Sequence, residues 1–344
     1  MHLQAVLCHK CDPSTLYIHG NQVSDSIKNE GIPMSTTYNL FNNQGALKQE
    51  GTQRPEWLDE QLYPFQSHFV EIDGNRIHYI DEGSGPILFF LHPSIGWSFM
   101  YTDIIKELRT RFRCIALDLP GFGLSPAVPG YQHTLTNDSR LVERFIQTLG
   151  LTEVTLVAHD ITGSIGLGVV GRRPEWFRAM IILPGFVWSL EEYPRVYRMV
   201  QLVGSPLLRF LSVHFDLLLE YTLKSLTKKP KQPFSEQEKR AYREPMADRR
   251  ARSYPSELFK SAVRSHDYLA DLEQRLSAIK EMPALLIFGE TDGLLKLGWL
   301  TRFEQIFPRH RSIVMPGCHH FPQVYDAPGV ATAIRRWWDG EIEP

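Results

Sequence analysis

Val154-Thr-Leu-Val-Ala-His-Asp-Ile-Thr-Gly163 decides how this chain is read. Val154 to Val157 is a β-branched, mostly apolar run of the kind found in a buried parallel strand. It halts at Ala158-His159-Asp160-Ile161-Thr162-Gly163 and resumes over Ser164 to Val170 with helical texture. Small residues around a central reactive one describe a nucleophile elbow, a sharp strand-to-helix turn that lifts one side chain above the sheet. Helix N-terminal N–H groups would lie beside it. The central residue is Asp160. A carboxylate there attacks a carbon or acyl centre and leaves an enzyme ester. The plainer alternative is an aspartate that only caps the following helix.

The surrounding texture supports an α/β sheet. Val70 and Ile72, then Ile77 and Tyr79, alternate about a Gly74-Asn75 turn, so His68–Asp73 and Arg76–Asp81 read as a hairpin. Short apolar runs follow at Ile87–Leu91, Cys114–Leu117, Val154–Val157, Ala179–Leu183, Ala284–Phe288 and Ser312–Met315. Helical periodicity lies between them, for example at 103–112 and 141–149. Two antiparallel strands followed by alternating strands and helices make a mostly parallel, doubly wound sheet of about eight strands.

The alternation breaks from Phe186 to about Ile279, where the texture is helical and prolines, Pro255 among them, mark short helices. Such an insert would cap the carboxyl ends of the strands, where ligands bind in open α/β sheets. The division expected is an N-terminal extension at 1–55, a core at 56–187 and 280–344, and the helical cap at 188–279. Trp188, Tyr193, Phe186 and Trp97 are the pocket candidates, although packing within the cap is the plainer role for its tyrosines.

Composition narrows the classes. With 37 basic and 39 acidic side chains among 344 residues, the net charge of −2 points to neither nucleic acid nor an acidic membrane. Hydrophobic content of 43% is that of an ordinary globular protein. The most apolar long stretch, Val196 to Leu223, is interrupted by Arg198, Arg209, Asp216 and Glu220, so no membrane span is expected. The N-terminus has no basic segment followed by an apolar one, and Met34 opens a stretch that would itself serve as a start. Residues 1–55 are polar and aperiodic, which predicts poor order. Cys8-His-Lys-Cys11 is a lone CxxC with His2, His9 and His19 nearby, short of a four-ligand zinc site. Cys114 and Cys318 read as internal thiols in a reducing compartment, and a cytoplasmic monomer or homodimer is the expectation.

An aspartate nucleophile needs a base to activate the water that cleaves its ester, and the base needs an orienting acid. Asp292 follows the strand ending at Phe288, and His319-His320 follow the strand ending at Met315. The order nucleophile, acid, histidine is that of α/β-hydrolases. Backbone N–H groups must hold the developing oxyanion. Ile161 supplies one, and the His92-Pro-Ser loop after Leu91 supplies another through Ser94, since Pro93 has no N–H.

Leu91-His92 with Trp97-Ser-Phe-Met-Tyr101, Ala116-Leu-Asp-Leu-Pro-Gly-Phe-Gly-Leu-Ser125, His159-Asp160 with Gly163, Gly289–Leu295 and His320-Phe-x-Gln323 resemble α/β-hydrolases of the haloalkane dehalogenase and epoxide hydrolase group. Leu62-Tyr-Pro-Phe65 with Val70-Glu-Ile-Asp-Gly74 resembles the dehalogenase-like branch in particular. The resemblance runs from about residue 55 to the C-terminus and implies the α/β-hydrolase fold with a cap. It implies Asp160 as nucleophile, His320 as base and Asp292 as acid. His320 is favoured over His319 because the family places Phe after the base, and Glu290 lies two residues from Asp292. Some dehalogenases carry the acid after the preceding strand, but Leu183-Pro-Gly-Phe-Val187 has no carboxylate.

Two departures bear on the chemistry. The resemblance implies a Trp after the nucleophile and an Asn or Glu two residues after the loop histidine, both halide donors. Ile161 and Ser94 stand there, with His92 as that histidine. Losing such donors costs on the order of 2–4 kcal/mol each in barrier, by analogy with oxyanion donors. Carbon–halogen hydrolysis, epoxide opening with cap tyrosines as acid, another reaction on a small hydrophobic substrate, and ligand binding with feeble turnover therefore stay open. A serine esterase is disfavoured, because no Gly-x-Ser-x-Gly occurs and Ser164 falls in the helix. Water and the triad suffice, so no metal or organic cofactor is implied.

Overall fold

The computed structural model describes residues 49–50, 54–226 and 234–341. The Cys8–Cys11 pair, its neighbouring histidines, Met34 and the basic sequence 228–231 lie outside them. The strands are β1 (Gln49–Glu50), β2 (His68–Ile72), β3 (Asn75–Glu82), β4 (Ile87–Leu91), β5 (Arg113–Leu117), β6 (Val154–His159), β7 (Phe177–Gly185), β8 (Ala284–Gly289) and β9 (His310–Met315). They form one sheet in the order β1-β2-β3-β5-β4-β6-β7-β8-β9. Pairing is antiparallel from β1 through β3 to β5 and parallel elsewhere. The eight expected strands are all present. The ninth, β1, is not among them: Gln49 and Glu50 pair with β2.

Every residue of β6 and β8 is buried, which is why β8 is apolar throughout and β6 departs from that only at Thr155 and His159 instead of alternating. The helices of the first half are α1 (Thr102–Leu108), α2 (Leu135–Thr148) and α3 (Asp160–Arg172). The second begins at Leu135 instead of Leu141 because the Thr134 hydroxyl caps it, accepting from the Asn137 N–H. Next come α4 (Pro194–Val203), α5 (Pro206–Phe215), α6 (Leu217–Leu226), α7 (Glu236–Arg243), α8 (Arg249–Arg264) and α9 (His266–Ala278). Among the described residues no strand lies between Gly185 and Ala284. Pro194 and Pro206 open helices, as expected, but Pro255 sits buried inside α8 without ending it. The chain closes with α10 (Gly293–Lys296), α11 (Trp299–Ile306), α12 (Pro322–Tyr325) and α13 (Ala327–Trp338).

The strand order locates the site. β4 lies between β5 and β6, so the chain leaves it toward one edge and later returns on its other side. That reversal opens a crevice at the carboxyl ends of β4 and β6, the place where open α/β sheets hold ligands. Ser94 follows β4 and Asp160 follows β6.

Candidate active site

Asp160 turns the chain from β6 into α3 with φ of +55°, a left-handed conformation that costs a non-glycine residue strain. Surrounding bonds hold it. The Thr162 hydroxyl donates to the His92 and His159 carbonyls, and the Ser164 hydroxyl donates to the Phe186 carbonyl. Gly185, at the end of β7, lies so close that a Cβ there would stand 3.0 Å from the Asp160 carbonyl oxygen and 3.2 Å from its nitrogen. The elbow is thus clamped from both neighbouring strands.

The two carboxylate oxygens of Asp160 have different surroundings. Oδ2 accepts the Ser94 N–H at 2.9 Å and the Ser94 hydroxyl as well. Oδ1 faces His320 Nε2 at 3.8 Å. His320 Nδ1 lies 3.2 Å from Asp292 Oδ2, while Asp292 Oδ1 accepts the Leu294 N–H and caps α10. Asp292 is therefore a helix cap on one oxygen and a histidine partner on the other. The Asp160 side chain is 17% exposed, so a small molecule can reach it, whereas Asp292 is 4% exposed.

Close approach of two loops makes this meeting possible. A Cβ on Gly289 would fall within 2.5 Å of the His319 and Cys318 carbonyl oxygens, so only glycine lets the acid loop lie against the histidine loop. Two residues with no role assigned from sequence complete the support. His159 Nε2–H donates to the His320 carbonyl, and His159 Nδ1 accepts from Gln323 Nε2 at 2.9 Å. Burial and the charge of His320 lower the His159 pKa to about 3, which keeps it neutral and its tautomer set. The spacing His320-x-x-Gln323 was the available signal.

Burial alone would raise the Asp160 carboxyl, but His320 and the Ser94 hydroxyl outweigh it and hold the group well below the usual carboxylate range. Asp292 is lowered in the same way: burial opposes, and His320 with the Leu294 N–H prevails. Burial pushes His320 down, yet the flanking carboxylates raise it to about 10. At rest the centre is an imidazolium between two carboxylates.

Other expected site residues lie elsewhere or act differently. His319 turns to the Thr291 hydroxyl and the Tyr325 ring, and Glu290 accepts the Gly317 N–H, so neither joins the cluster. The assignment of His92 to the leaving-group site is corrected. Its Nδ1 pairs with the Pro93 carbonyl and its Nε2 accepts the Leu119 N–H, so it ties the β4 loop to the loop after β5. Burial lowers its pKa, in keeping with a neutral ring. Trp97 likewise spends its indole N–H on the Ala241 carbonyl at 2.9 Å and stacks on Phe99, anchoring the helical insert. Ile161 is buried in the first turn of α3, where its N–H has no helical partner to bond.

Phe186 follows Gly185 and packs edge-on against Trp299, which also meets Trp188 and Tyr193. The indole nitrogens of Trp188 and Trp299 are buried without a partner. Trp299 carried no motif signal. The remaining insert tyrosines are engaged in packing or solvent. Tyr268 donates to the Ser164 carbonyl, Tyr242 packs on Phe99, Tyr254 on His133, and Tyr221 is 72% exposed.

Residues 86–327 match the family model for the α/β hydrolase fold. Haloalkane dehalogenase 2 of Mycobacterium tuberculosis is 31% identical over 285 residues, covering 80% of this chain and 96% of that protein. The chain belongs to the α/β-hydrolase fold family, in its haloalkane dehalogenase-like branch. A second relative of this hydrolase, cis-3-alkyl-4-alkyloxetan-2-one decarboxylase of Shewanella oneidensis, is 28% identical over 273 residues, covering 76% of this chain and 84% of that protein. The fold agrees with the crystal structure of haloalkane dehalogenase DbeA from Bradyrhizobium elkani. There the TM-score is 0.71 at 20% identity, over 80% of this chain and 98% of that one.

Proposed function

We propose that this hydrolase uses Asp160 to displace a leaving group from a small hydrophobic substrate, with His320 and Asp292 activating the water that releases the product. One observation carries the reading: Asp160 Oδ1 faces His320 at 3.8 Å while its Oδ2 is held by the Ser94 N–H at 2.9 Å. Oδ1 attacks the substrate carbon as the bond to the leaving group breaks and its electron pair departs with that group. Asp160 becomes a neutral ester, and His320 loses one of the two charges that raise its pKa. Its proton then passes to bulk water, and the neutral ring takes a proton from a second water as that water attacks the ester carbon. Negative charge develops on Oδ2, where the Ser94 and Ile161 N–H groups hold it. Collapse expels the alkoxide, which takes the proton of the acid just formed, so that the product leaves as an alcohol and Asp160 returns as a carboxylate.

Carbon–halogen hydrolysis is the leading reaction, in line with the dehalogenase relatives. Because Ile161 and Ser94 offer a halide little, the unpartnered N–H groups of Trp188 and Trp299 are the donors proposed to receive it. The lack of a strong halide donor at Ile161 and Ser94 favours a second reading, the oxetanone decarboxylation named for the Shewanella relative. Attack at the ring carbon bearing oxygen would open the strained ring and free a tethered carboxylate. Loss of carbon dioxide would then form an alkene as the ester bond returns its electrons to Asp160. Epoxide opening ranks below both, since Tyr268 spends its hydroxyl on the Ser164 carbonyl, the Tyr193 hydroxyl meets Arg302, and Tyr221 is exposed.

The test is intact-protein mass spectrometry of His320→Ala incubated with haloalkanes, cis-disubstituted oxetan-2-ones or terminal epoxides, with Asp160→Asn as control. An alkyl adduct with released halide supports dehalogenation. Carbon dioxide and alkene from the lactone support the second reading, and an adduct of whole-epoxide mass moves the assignment there. No adduct and no product from any pool would overturn the enzymatic reading in favour of a ligand-binding member of the fold.

A further inference from the structure

The helical insert carries an outer surface whose chemistry is separate from Asp160. Among the described residues, nine large hydrophobic side chains are exposed, and seven of them fall between Met199 and Tyr221, on α4, α5 and α6. Helix α5 exposes apolar side chains on its outer face, while Leu208, Leu211 and Val213 are partly buried. Leu207 and Phe210, three residues apart and hence on one face, are 64% and 53% exposed, and Phe215 is 68% exposed. A surface helix ordinarily buries that stripe. Apolar patches of this kind mark binding surfaces.

A cleft of about 1050 Å³ adjoins the patch where α8 packs against α4 and α5. Phe210 is part of its wall. Five cationic side chains line it, Arg209, Arg249, Arg250, Lys260 and Arg264, against one carboxylate, Glu257, which Arg209 already pairs. The acids of the apolar segment are also spent internally, Asp216 on Arg252 and Glu220 on Arg243. Asp248 caps α8, and Asp267 lies in the adjoining cleft. Arg195, Arg198, Arg249, Lys260 and Arg264 make no ion pair with a described residue. Ser256, also in the cleft wall, holds a buried hydroxyl without a partner, an unusual expense in a folded protein.

We propose that this face docks the protein on an anionic lipid surface, with Leu207, Phe210 and Phe215 entering the acyl boundary and the cationic cleft taking lipid phosphate. Apolar side chains beside unpaired cations match the two attractions that hold interfacial helices to anionic bilayers. A second copy of this chain fits less well, because it would set these unpaired cations against each other. The near-neutral charge of the whole chain conceals this local excess. No described helix is long and apolar enough to cross a membrane, so the contact is peripheral. The proposal stands whichever reaction Asp160 performs.

The test is co-sedimentation of the full chain with vesicles of phosphatidylcholine containing phosphatidylglycerol, against phosphatidylcholine alone. Binding is expected with the anionic vesicles only, weakening as salt rises. Phe210→Asp with Phe215→Asp should reduce it at least about tenfold, and Lys260→Glu with Arg264→Glu about tenfold. Both variants should keep the parent melting transition, since all four side chains are solvent-facing. Three results overturn the proposal: no binding to anionic vesicles at low salt, binding indifferent to both variants, or light scattering that finds a dimer dispersed by the Phe variant without vesicle binding. Thermal stabilisation by inorganic phosphate without vesicle binding would likewise assign the cleft to a free anion and overturn the lipid surface.

Discussion

Replacing Asp160 by Asn should bring the His320 imidazole from its raised pKa of about 10 down close to neutrality. Asn keeps the shape of the side chain and removes its charge, as esterification does. At an effective dielectric near 20, unit charges 3.8 Å apart attract by about 4 kcal/mol, equivalent to about three pH units. The His320 side chain is 28% exposed, and water screening reduces the expected fall to about two to three. The linked effect on stability has a definite sign. The raised imidazole contributes in full below its ordinary 6.5 and loses that contribution as pH climbs through about 10. The lowered Asp160 carboxyl contributes above its ordinary 3.8 and loses that as pH falls through its depressed value. Wild-type stability should therefore be greatest between those ordinary values, and Asp160→Asn should flatten the profile on both sides. Titration of the His320 ring nitrogens by NMR, with thermal melts across pH, measures both. A wild-type ring titrating near 6.5, or one unmoved by the substitution, would refute the electrostatic account and with it the ester-triggered release of the His320 proton.

Ser94→Ala should separate the two proposed steps. Its hydroxyl stabilises the resting charge on Oδ2, which drains away during attack and returns during hydrolysis. Alkylation should quicken and hydrolysis slow, by about tenfold each for a charged hydrogen bond of about 1.5 kcal/mol; single-turnover kinetics that slow both steps equally would sink the idea. Gly185→Ala places a methyl 3.0 Å from the Asp160 carbonyl oxygen and should cost about 1–3 kcal/mol in a melt, with turnover falling alongside. An unchanged melting temperature would mean that β7 does not clamp the elbow.

The sheet and the candidate site residues were legible because parallel strands buried on both faces leave continuous apolar runs, and the carboxylates and histidines of interest follow their carboxyl ends. Asp160, Asp292 and the histidine pair could be placed from that alone. What sequence left open depended on contacts distant along the chain. Either of His319 and His320 could face Asp160; the Thr291 hydroxyl, the Tyr325 ring and the Gly289 approach turn His319 away. His92 looked like a site residue until Leu119 claimed its ring, and Trp97 until Ala241 took its indole N–H. Trp299 has no local pattern to announce it. Nor does the outward stripe of α5, because that helix is apolar on more than the face it buries.

The distribution of donors bears on which reaction this scaffold suits. The Ser94 side-chain and backbone donors both fall on Oδ2, the oxygen on which the proposed mechanism gathers charge during ester hydrolysis. On the proposed mechanism they do nothing for charge leaving with a halide, and Ile161 contributes no side-chain donor. A halide must then find the indoles of Trp188 and Trp299, which join the elbow through Phe186 and Gly185. A strained lactone makes a smaller demand, because ring opening drives the displacement and the carboxylate it frees spreads its charge over two oxygens. The distinction between the two readings thus rests on one physical question: whether charge on the departing atom is stabilised by the protein or by the substrate itself.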